Sequence, residues 1–402
     1  MISAGEASGD AHAASVVSAL RERCPELESF GMGSRKLADA GTDLLVDFRE
    51  VAVMGYVDVL LNYSTLRKRL QLLKNAMHER KPDALLIVDY ATFNLKLADA
   101  AKELGIPVLF FIGPKIWASR PKRVEHIRKV VTHMALILPF EEAVYQQAHV
   151  PANYVGNPLI EQINPPESVN AARRQLNQTE TTNAQPDNKN TLYIGLLPGS
   201  RQSELKYNLP VLIETAQNLS EKRDEHCHFL LPVAPTLNKQ TVDEHTRQYK
   251  DLDIQVIAGE AHTVMRASDV LAIASGTATL EAAIVGTPCV SLYKMHALNY
   301  QIMRRLVISN FITLVNIQVD KTVIKEFIQN DATVDNLTTE IERLIDDDHY
   351  RQTMIDAFKK IVDSLTTPVV QPLSDNEDIT VSKRPPTAAD NVATLTLSLI
   401  QE

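Results

Sequence analysis

A chain of 402 residues with 45% apolar content suits two domains of ordinary size, and its net charge of −9 argues against general nucleic-acid binding. Its cysteines, Cys24, Cys227 and Cys289, are scattered without Cys-x-x-Cys or Cys/His spacing. Their scatter points to a reducing compartment and argues against a structural zinc site. No apolar run is long enough to span a bilayer and no signal-peptide pattern is present, so the expectation is a cytoplasmic chain free to touch a membrane surface.

In chain order, residues 1–10 read as the end of a strand and a glycine turn, opening onto a helix at 11–23. Few apolar residues precede Ser3, so the expectation is either a trimmed start or a first strand that is only a stub. Strand-like runs follow at 28–32 and 44–48, a long helix at 57–78, and a buried strand at 84–90 that ends in a carboxylate. Residues 94–104 read as helix, 107–112 and 135–139 as strands. Residues 177–190 are polar, with almost nothing to bury. Alternation then restarts with strands at 192–197, 228–233 and 254–258 and a helix at 209–222. Residues 366–386 are polar and expected to be disordered, and 388–400 read as an amphipathic helix.

The fold class expected is α/β, with two Rossmann-like domains facing across a cleft. The expected boundaries are 1–160, a polar linker at 161–190, 191–365, the polar segment 366–386 and a terminal helix at 387–402.

The stretch from Val270 to Tyr293 is the most informative. An apolar run leads into Ser275-Gly276-Thr277 and an alanine-rich helix, which Gly286 and Pro288 stop before the next strand. Such a turn aims backbone N–H groups and the positive end of a helix dipole above the sheet, a place that favours phosphate. Glu281, about one turn along, has the reach to accept from a ribose. The alternative is the capped crossover helix of any α/β domain.

Leu197-Pro-Gly-Ser-Arg201 ends the first strand of the second half. Arg201 can clamp a diphosphate, with Glu204 orienting it, or the two can form a surface salt bridge. No Gly-Lys-Ser/Thr follows either turn, so neither is a P-loop. Asp89, at the mouth of the first sheet, is a candidate general base or a cap of the next helix. Glu6 and Asp10 flank Ser8, each readable as cap or acid. His12, His126 and His296 are isolated, and no metal is assigned.

In the helix at 57–78, Val59, Tyr63, Leu66, Leu70 and Leu73 form a core stripe. Val57, Leu60 and Leu61 should lie exposed beside Met54, with Arg67 and Lys68 following. Apolar residues beside cations suit an anionic membrane or an acyl chain; cover by another loop is the competing reading.

Together the motifs resemble the lipid-A-disaccharide synthase family, inverting glycosyltransferases with two Rossmann-like domains, the GT-B architecture. The similar stretches are Ala4-Gly-Glu-Ala-Ser-Gly-Asp10, Ala52-Val-Met-Gly-Tyr-Val-Asp58, Lys81-Pro-Asp83 through Asp89, Gly113-Pro-Lys-Ile-Trp-Ala-Ser-Arg120 and Leu138-Pro-Phe-Glu141. Leu197-Pro-Gly-Ser-Arg201, Ser275-Gly-Thr-Ala-Thr-Leu-Glu281 and Leu314-Val-Asn316 continue the series. The resemblance implies transfer from UDP-2,3-diacylglucosamine to 2,3-diacylglucosamine 1-phosphate (lipid X). The product would be a β-1,6-linked disaccharide with release of UDP, with no metal or other cofactor.

It implies Asp89 as base for the acceptor 6-hydroxyl, with Ser8 and Glu6 nearby. Arg201, Glu281 and Asn316 would lie near UDP, and the region of Val57 and Leu60 against the inner face of the cytoplasmic membrane of a Gram-negative bacterium. The sequence departs from the family's usual residues at Thr92, Gly113, Ser119, Asn157 and Val315. Two other readings stay open: another UDP-sugar enzyme such as an epimerase or a GlcNAc transferase, and a non-catalytic nucleotide-sugar binding protein.

Overall fold

The computed structural model describes residues 1–51, 63–178, 191–373 and 385–400. The chain divides into two compact units, Met1–Pro158 with Leu365–Glu402, and Leu159–Ser364.

In the first unit the described strands are β1 (Ile2–Ala4), β2 (Phe30–Gly33), β3 (Asp43–Asp47), β4 (Leu85–Val88), β5 (Val108–Phe111), β6 (His133–Leu136) and β7 (Ala152–Tyr154). They form one parallel sheet in the order β3-β2-β1-β4-β5-β6-β7. Strands covered on both faces need apolar residues at every position, and β4 (Leu-Leu-Ile-Val) and β5 (Val-Leu-Phe-Phe) have them. The two-residue period is visible in the packing. Leu85, Ile87, Val108 and Phe110 enter one core with Leu73 and Met77, while Leu86, Val88, Leu109 and Phe111 enter the other with Val16 and Leu20. β1 has only three residues, yet it pairs on both sides, with β2 and with β4.

The second unit repeats the plan with β8 (Thr191–Leu197), β9 (His226–Val233), β10 (Ile254–Ala258), β11 (Val270–Ala274), β12 (Cys289–Tyr293) and β13 (Glu326–Ile328). Their order is β10-β9-β8-β11-β12-β13, again all parallel. In both sheets the strand order reverses beside the first strand, between β1 and β4 and between β8 and β11. In doubly wound sheets the crevice at that reversal, outside the carboxyl ends of the strands, is where ligands bind.

Several boundaries differ from the sequence expectation. The first helix runs Ala7–Arg23, so Ser8 lies in its first turn. The segment expected as linker holds helices Pro158–Gln162 and Val169–Gln178. In the latter, Ala172 and Leu176 are buried against Tyr193, Leu230 and Val264, so it is part of the second unit's core. The rest of that segment, 179–190, lies outside the described residues.

The polar segment expected from 366 does not start as a free tail. Val370 is buried in the first unit, and Asn391 donates to Pro368 O (2.7 Å) and Val155 O (2.8 Å). Helix Ala388–Ile400 was expected to be amphipathic; it is buried round most of its circumference against helix Ala7–Arg23, with Asp390 paired to Arg23. The terminal helix therefore belongs to the first unit, which sequence order alone could not reveal. In helix Tyr63–Arg80, Leu73 is fully buried as expected, but Leu66 and Leu70 are only half-buried.

Candidate functional site

At the first reversal point, Asp89 follows β4 and Gly5-Glu6 follow β1. Asp89 and Tyr90 both take left-handed backbone conformations (φ 48° and 46°) that cost non-glycine residues about 1–3 kcal/mol each. Surrounding bonds hold them there. Asn94, fully buried in the first turn of helix Ala91–Glu103, donates to the carbonyls of Asp89 (2.8 Å), Val88 (3.3 Å) and Ser3 (3.3 Å). The Tyr90 hydroxyl donates to Val51 O at 2.6 Å. The Tyr90 ring lies so close to Gly5 that a Cβ there would come within 2.2 Å of it, which accounts for glycine at that position.

The Asp89 carboxyl accepts from Tyr90 N at 2.7 Å. Burial pushes its pKa above the usual carboxylate range, against the opposing pull of the Tyr90 amide and the Lys115 ammonium. A carboxyl so placed, with its proton affinity raised, is a better proton acceptor than an exposed one. It is not the cap of helix Ala91–Glu103, whose N-cap position is Tyr90. Glu6 and Ser8 are exposed beside it, and the Glu6 charge acts on Tyr90. Asp10 is different: its two oxygens accept from Ser34 N (2.6 Å) and Lys36 N (3.1 Å), so it serves the start of helix Arg35–Asp39.

Sequence reasoning assigned no role to Lys115, Trp117 or Glu141, and the structure brings them together. Glu141, at the start of helix Glu141–Gln147, is buried and accepts from Trp117 Nε1 (2.9 Å) and Leu138 N (3.2 Å). Burial pushes its carboxyl up to about 7, partly offset by Trp117, the Leu138 amide and Lys115. Tyr145 of the same helix donates to Pro114 O at 3.0 Å. The Pro114–Trp117 loop is thus fastened at two points, with the Lys115 charge acting on both Asp89 and Glu141. The signal in the sequence was the apolar-aromatic run Gly113-Pro-Lys-Ile-Trp beside Leu138-Pro-Phe-Glu141; the contact between them spans 24 residues.

At the second reversal point the two turns divide their work. Arg201 and Glu204 pair at 2.7 Å, with the Arg201 side chain 61% exposed and that of Glu204 only 11%. Glu204 also accepts from Ser200 N (2.9 Å) and Arg201 N (3.3 Å). The carboxylate therefore occupies the amides of its own turn and holds the Arg201 guanidinium, whose side chain is the exposed member of the pair. Gly199 (φ 114°) allows this, because a Cβ would lie 2.4 Å from Glu204 Oε2. Asn208 fastens the loop from below, donating to Pro198 O at 3.0 Å.

Ser275-Gly276-Thr277 is the open turn. Helix Thr277–Val285 starts there with no side chain capping its N-terminus, and Gly276 and Thr277 are exposed. The helix ends at Gly286, in the left-handed conformation expected of a glycine stop (φ 86°). Glu281 is half-buried, 3.1 Å from His262, a partner the sequence did not indicate.

Asn316 does not fit the role of a UDP ligand. It is fully buried, its amide donates to Ile324 O and Glu326 (2.8 Å each), and its oxygen accepts from Val323 N and Ile324 N. All its hydrogen-bonding capacity is spent inside the fold. It anchors Glu326, which gathers Ile312 N and Thr313.

Met54, Val57, Leu60 and Leu61 lie outside the described residues. Arg67 and Lys68 are exposed on helix Tyr63–Arg80. A cavity of about 720 Å³ opens at the opposite, amino ends of β1 and β4, lined by Ile2, Leu86, Asp43 and Arg80 among others. It contains none of the candidate residues and is not the site described here.

Two parallel sheets of this strand order, each with a candidate site at its own reversal point, define the GT-B class of folds. Solved structures similar to this chain agree: MurG from Acinetobacter baumannii (TM-score 0.57, 16% identity, covering 99% of this chain and 98% of that one) and a UDP-GlcNAc 2-epimerase from Neisseria meningitidis bound to UDP-GlcNAc (0.53, 14%, 90% and 98%). At that identity they speak for the fold alone. The lipid-A-disaccharide synthetase family matches residues 1–371, and the chain belongs to that family. Among its relatives are lipid-A-disaccharide synthases of Nitrosococcus oceani (39% identical over 360 residues, 90% of each chain) and Myxococcus xanthus strain DK1622 (38% over 346 residues, 86% of this chain and 87% of that one).

Proposed function

We propose that the chain joins UDP-2,3-diacylglucosamine to 2,3-diacylglucosamine 1-phosphate, forming a β-1,6-linked disaccharide and UDP. The observation that carries this reading is Asp89, a desolvated carboxyl held at the carboxyl end of β4; membership of the lipid-A-disaccharide synthetase family supports it. The acceptor 6-hydroxyl gives its proton to Asp89 as its oxygen bonds to the anomeric carbon. The bond from that carbon to the diphosphate breaks on the opposite face, the anomeric configuration inverts, and UDP departs with the electron pair.

Negative charge grows on the diphosphate as the bond breaks, so groups that meet it there stabilise the transition state more than the bound substrate. The uncapped start of helix Thr277–Val285 and the outward Arg201 guanidinium are suited to this, with Glu281 taking the ribose. We further propose that the chain works at the cytoplasmic face of the inner membrane. The exposed Arg67 and Lys68 support that, and no described helix is long and apolar enough to cross a bilayer.

The test is an assay of the full chain with both substrates in detergent. Disaccharide and UDP should appear in equal amounts. UDP binding without disaccharide formation would overturn the transferase reading, and UDP release without disaccharide would point to a different UDP-sugar reaction.

A further inference from the structure

Helix Ala297–Leu306 buries none of its ten residues. Leu298, Ile302 and Leu306 are spaced four apart and form one row along it, exposed by 69%, 52% and 37%. Met303 lies beside the row, and Ile308, just past the helix end, is exposed as well. Arg305 borders the row, about 20° around the axis from Leu298, and Arg304 lies about 100° further round, on the side turned away from the row; both are exposed. Although the chain is acidic overall, residues 294–313 contain no aspartate or glutamate and include Lys294, Arg304 and Arg305.

The root of the helix is fixed at the nucleotide end of the second sheet. It follows β12, and Lys294 N donates to Asn208 Oδ1 (3.0 Å), the same asparagine that holds Pro198 in the Arg201 loop. Gln329 grips Met295 through both its N–H and its carbonyl (3.1 and 2.8 Å), and the His296 ring accepts from Leu298 N at 3.3 Å. A firmly rooted helix that turns its apolar row to water is suited to a surface that removes that row from water. An isologous contact with a second copy would bring cations of one sign toward each other without acids to meet them. Anionic head groups above an apolar layer complement both features.

We propose that helix Ala297–Leu306 docks on an anionic lipid bilayer, with Leu298, Ile302 and Leu306 at the acyl boundary, Arg305 among the head groups and Arg304 adding positive charge from the outer side of the helix. This adds a lipid contact in the second unit to the one expected from the Val57 region of the first. It rests on the acyl-sugar reading only for its purpose: the donor's UDP would reach the Arg201 and Gly276 turns while its acyl chains stay in the bilayer.

Sedimentation of the full chain with phosphatidylglycerol–phosphatidylethanolamine vesicles, and with phosphatidylcholine vesicles, tests it without either substrate. A failed transferase assay therefore has no bearing on the sedimentation result. The variant Leu298→Ser/Ile302→Ser/Leu306→Ser should weaken partition to the anionic vesicles by more than about tenfold. Arg304→Glu/Arg305→Glu should weaken it by about 20-fold or more at low salt, with little change on phosphatidylcholine. Thermal unfolding and UDP affinity should match the wild type in both. Unchanged partition of both variants overturns the proposal. So does a dimer that either variant converts to monomer while partition holds, since the face would then join copies of the chain. Should the serine variant fail to fold, the charge variant decides alone, and wild-type partition in it overturns the proposal.

Discussion

The side-chain amide of Asn94 donates to the main-chain carbonyl of Asp89 at 2.8 Å, and its oxygen accepts the Ser3 hydroxyl at 2.6 Å. One buried side chain thus ties the ends of β1 and β4 and holds Asp89 in its left-handed conformation. Asn94→Ala would remove these buried hydrogen bonds from the Ser3 hydroxyl and the Asp89 carbonyl, a loss of about 2–4 kcal/mol. Urea unfolding should show that loss. The rate of disaccharide formation should fall with it, while UDP affinity, which the proposed function assigns to groups of the second unit, should be kept.

Gly5 and Gly9 lie four residues apart and should respond in opposite ways. Gly5→Ala drives a Cβ into the Tyr90 ring, whose hydroxyl bond to Val51 must then break, so turnover should drop sharply. At Gly9 the nearest atom to a new Cβ is 3.6 Å away, and the residue is inside helix Ala7–Arg23. Gly9→Ala should be neutral or stabilising by up to about 1 kcal/mol. Thermal unfolding and turnover of the pair check this directly.

Much of this arrangement was legible in the sequence, because strands buried on both faces must be apolar throughout: β4, β5, β8 and β11 stand out as runs between turn residues. The edge strands β7 and β13 have three residues each and gave no such run. The candidate residues at strand ends, Asp89, Arg201 and Ser275 to Thr277, were legible for the same reason, since the end of an apolar run marks the mouth of the sheet. What the sequence hid were partners distant in the chain. Glu326 uses Asn316, His262 meets Glu281, and Trp117 meets Glu141 only once the sheets have formed. The return of residues after Leu365 to the first unit is hidden likewise.

Glu141 gives a pH dependence of defined sign. Its carboxyl, pushed up to about 7 in the folded chain from an ordinary 4.5, keeps its proton while the unfolded chain loses it. Below pH 4.5 both states hold the proton and no penalty applies. Between there and 7 the folded state binds more protons, so stability falls as pH rises, by about 3 kcal/mol in all, and levels off above. Glu141→Gln should flatten urea stability across that window; an equally steep dependence in the variant would assign it to another group.

Arg201→Ala should weaken UDP binding and slow turnover together, since the guanidinium is the outward group of its loop and the diphosphate gains charge during transfer. Glu281→Ala should act mainly on binding. Calorimetric titration with UDP separates the two, and unchanged affinity in both variants would contradict a nucleotide site in the second unit.

In the proposed reaction Asp89 takes the acceptor proton. This step is tested most directly by Asp89→Asn, assayed for disaccharide formation from UDP-2,3-diacylglucosamine and 2,3-diacylglucosamine 1-phosphate, with UDP affinity measured on the same preparation. An amide cannot accept that proton, so turnover should fall by about 10²–10⁴ while UDP binds as tightly as before. Turnover close to wild type would contradict the account and leave Asp89 a structural residue.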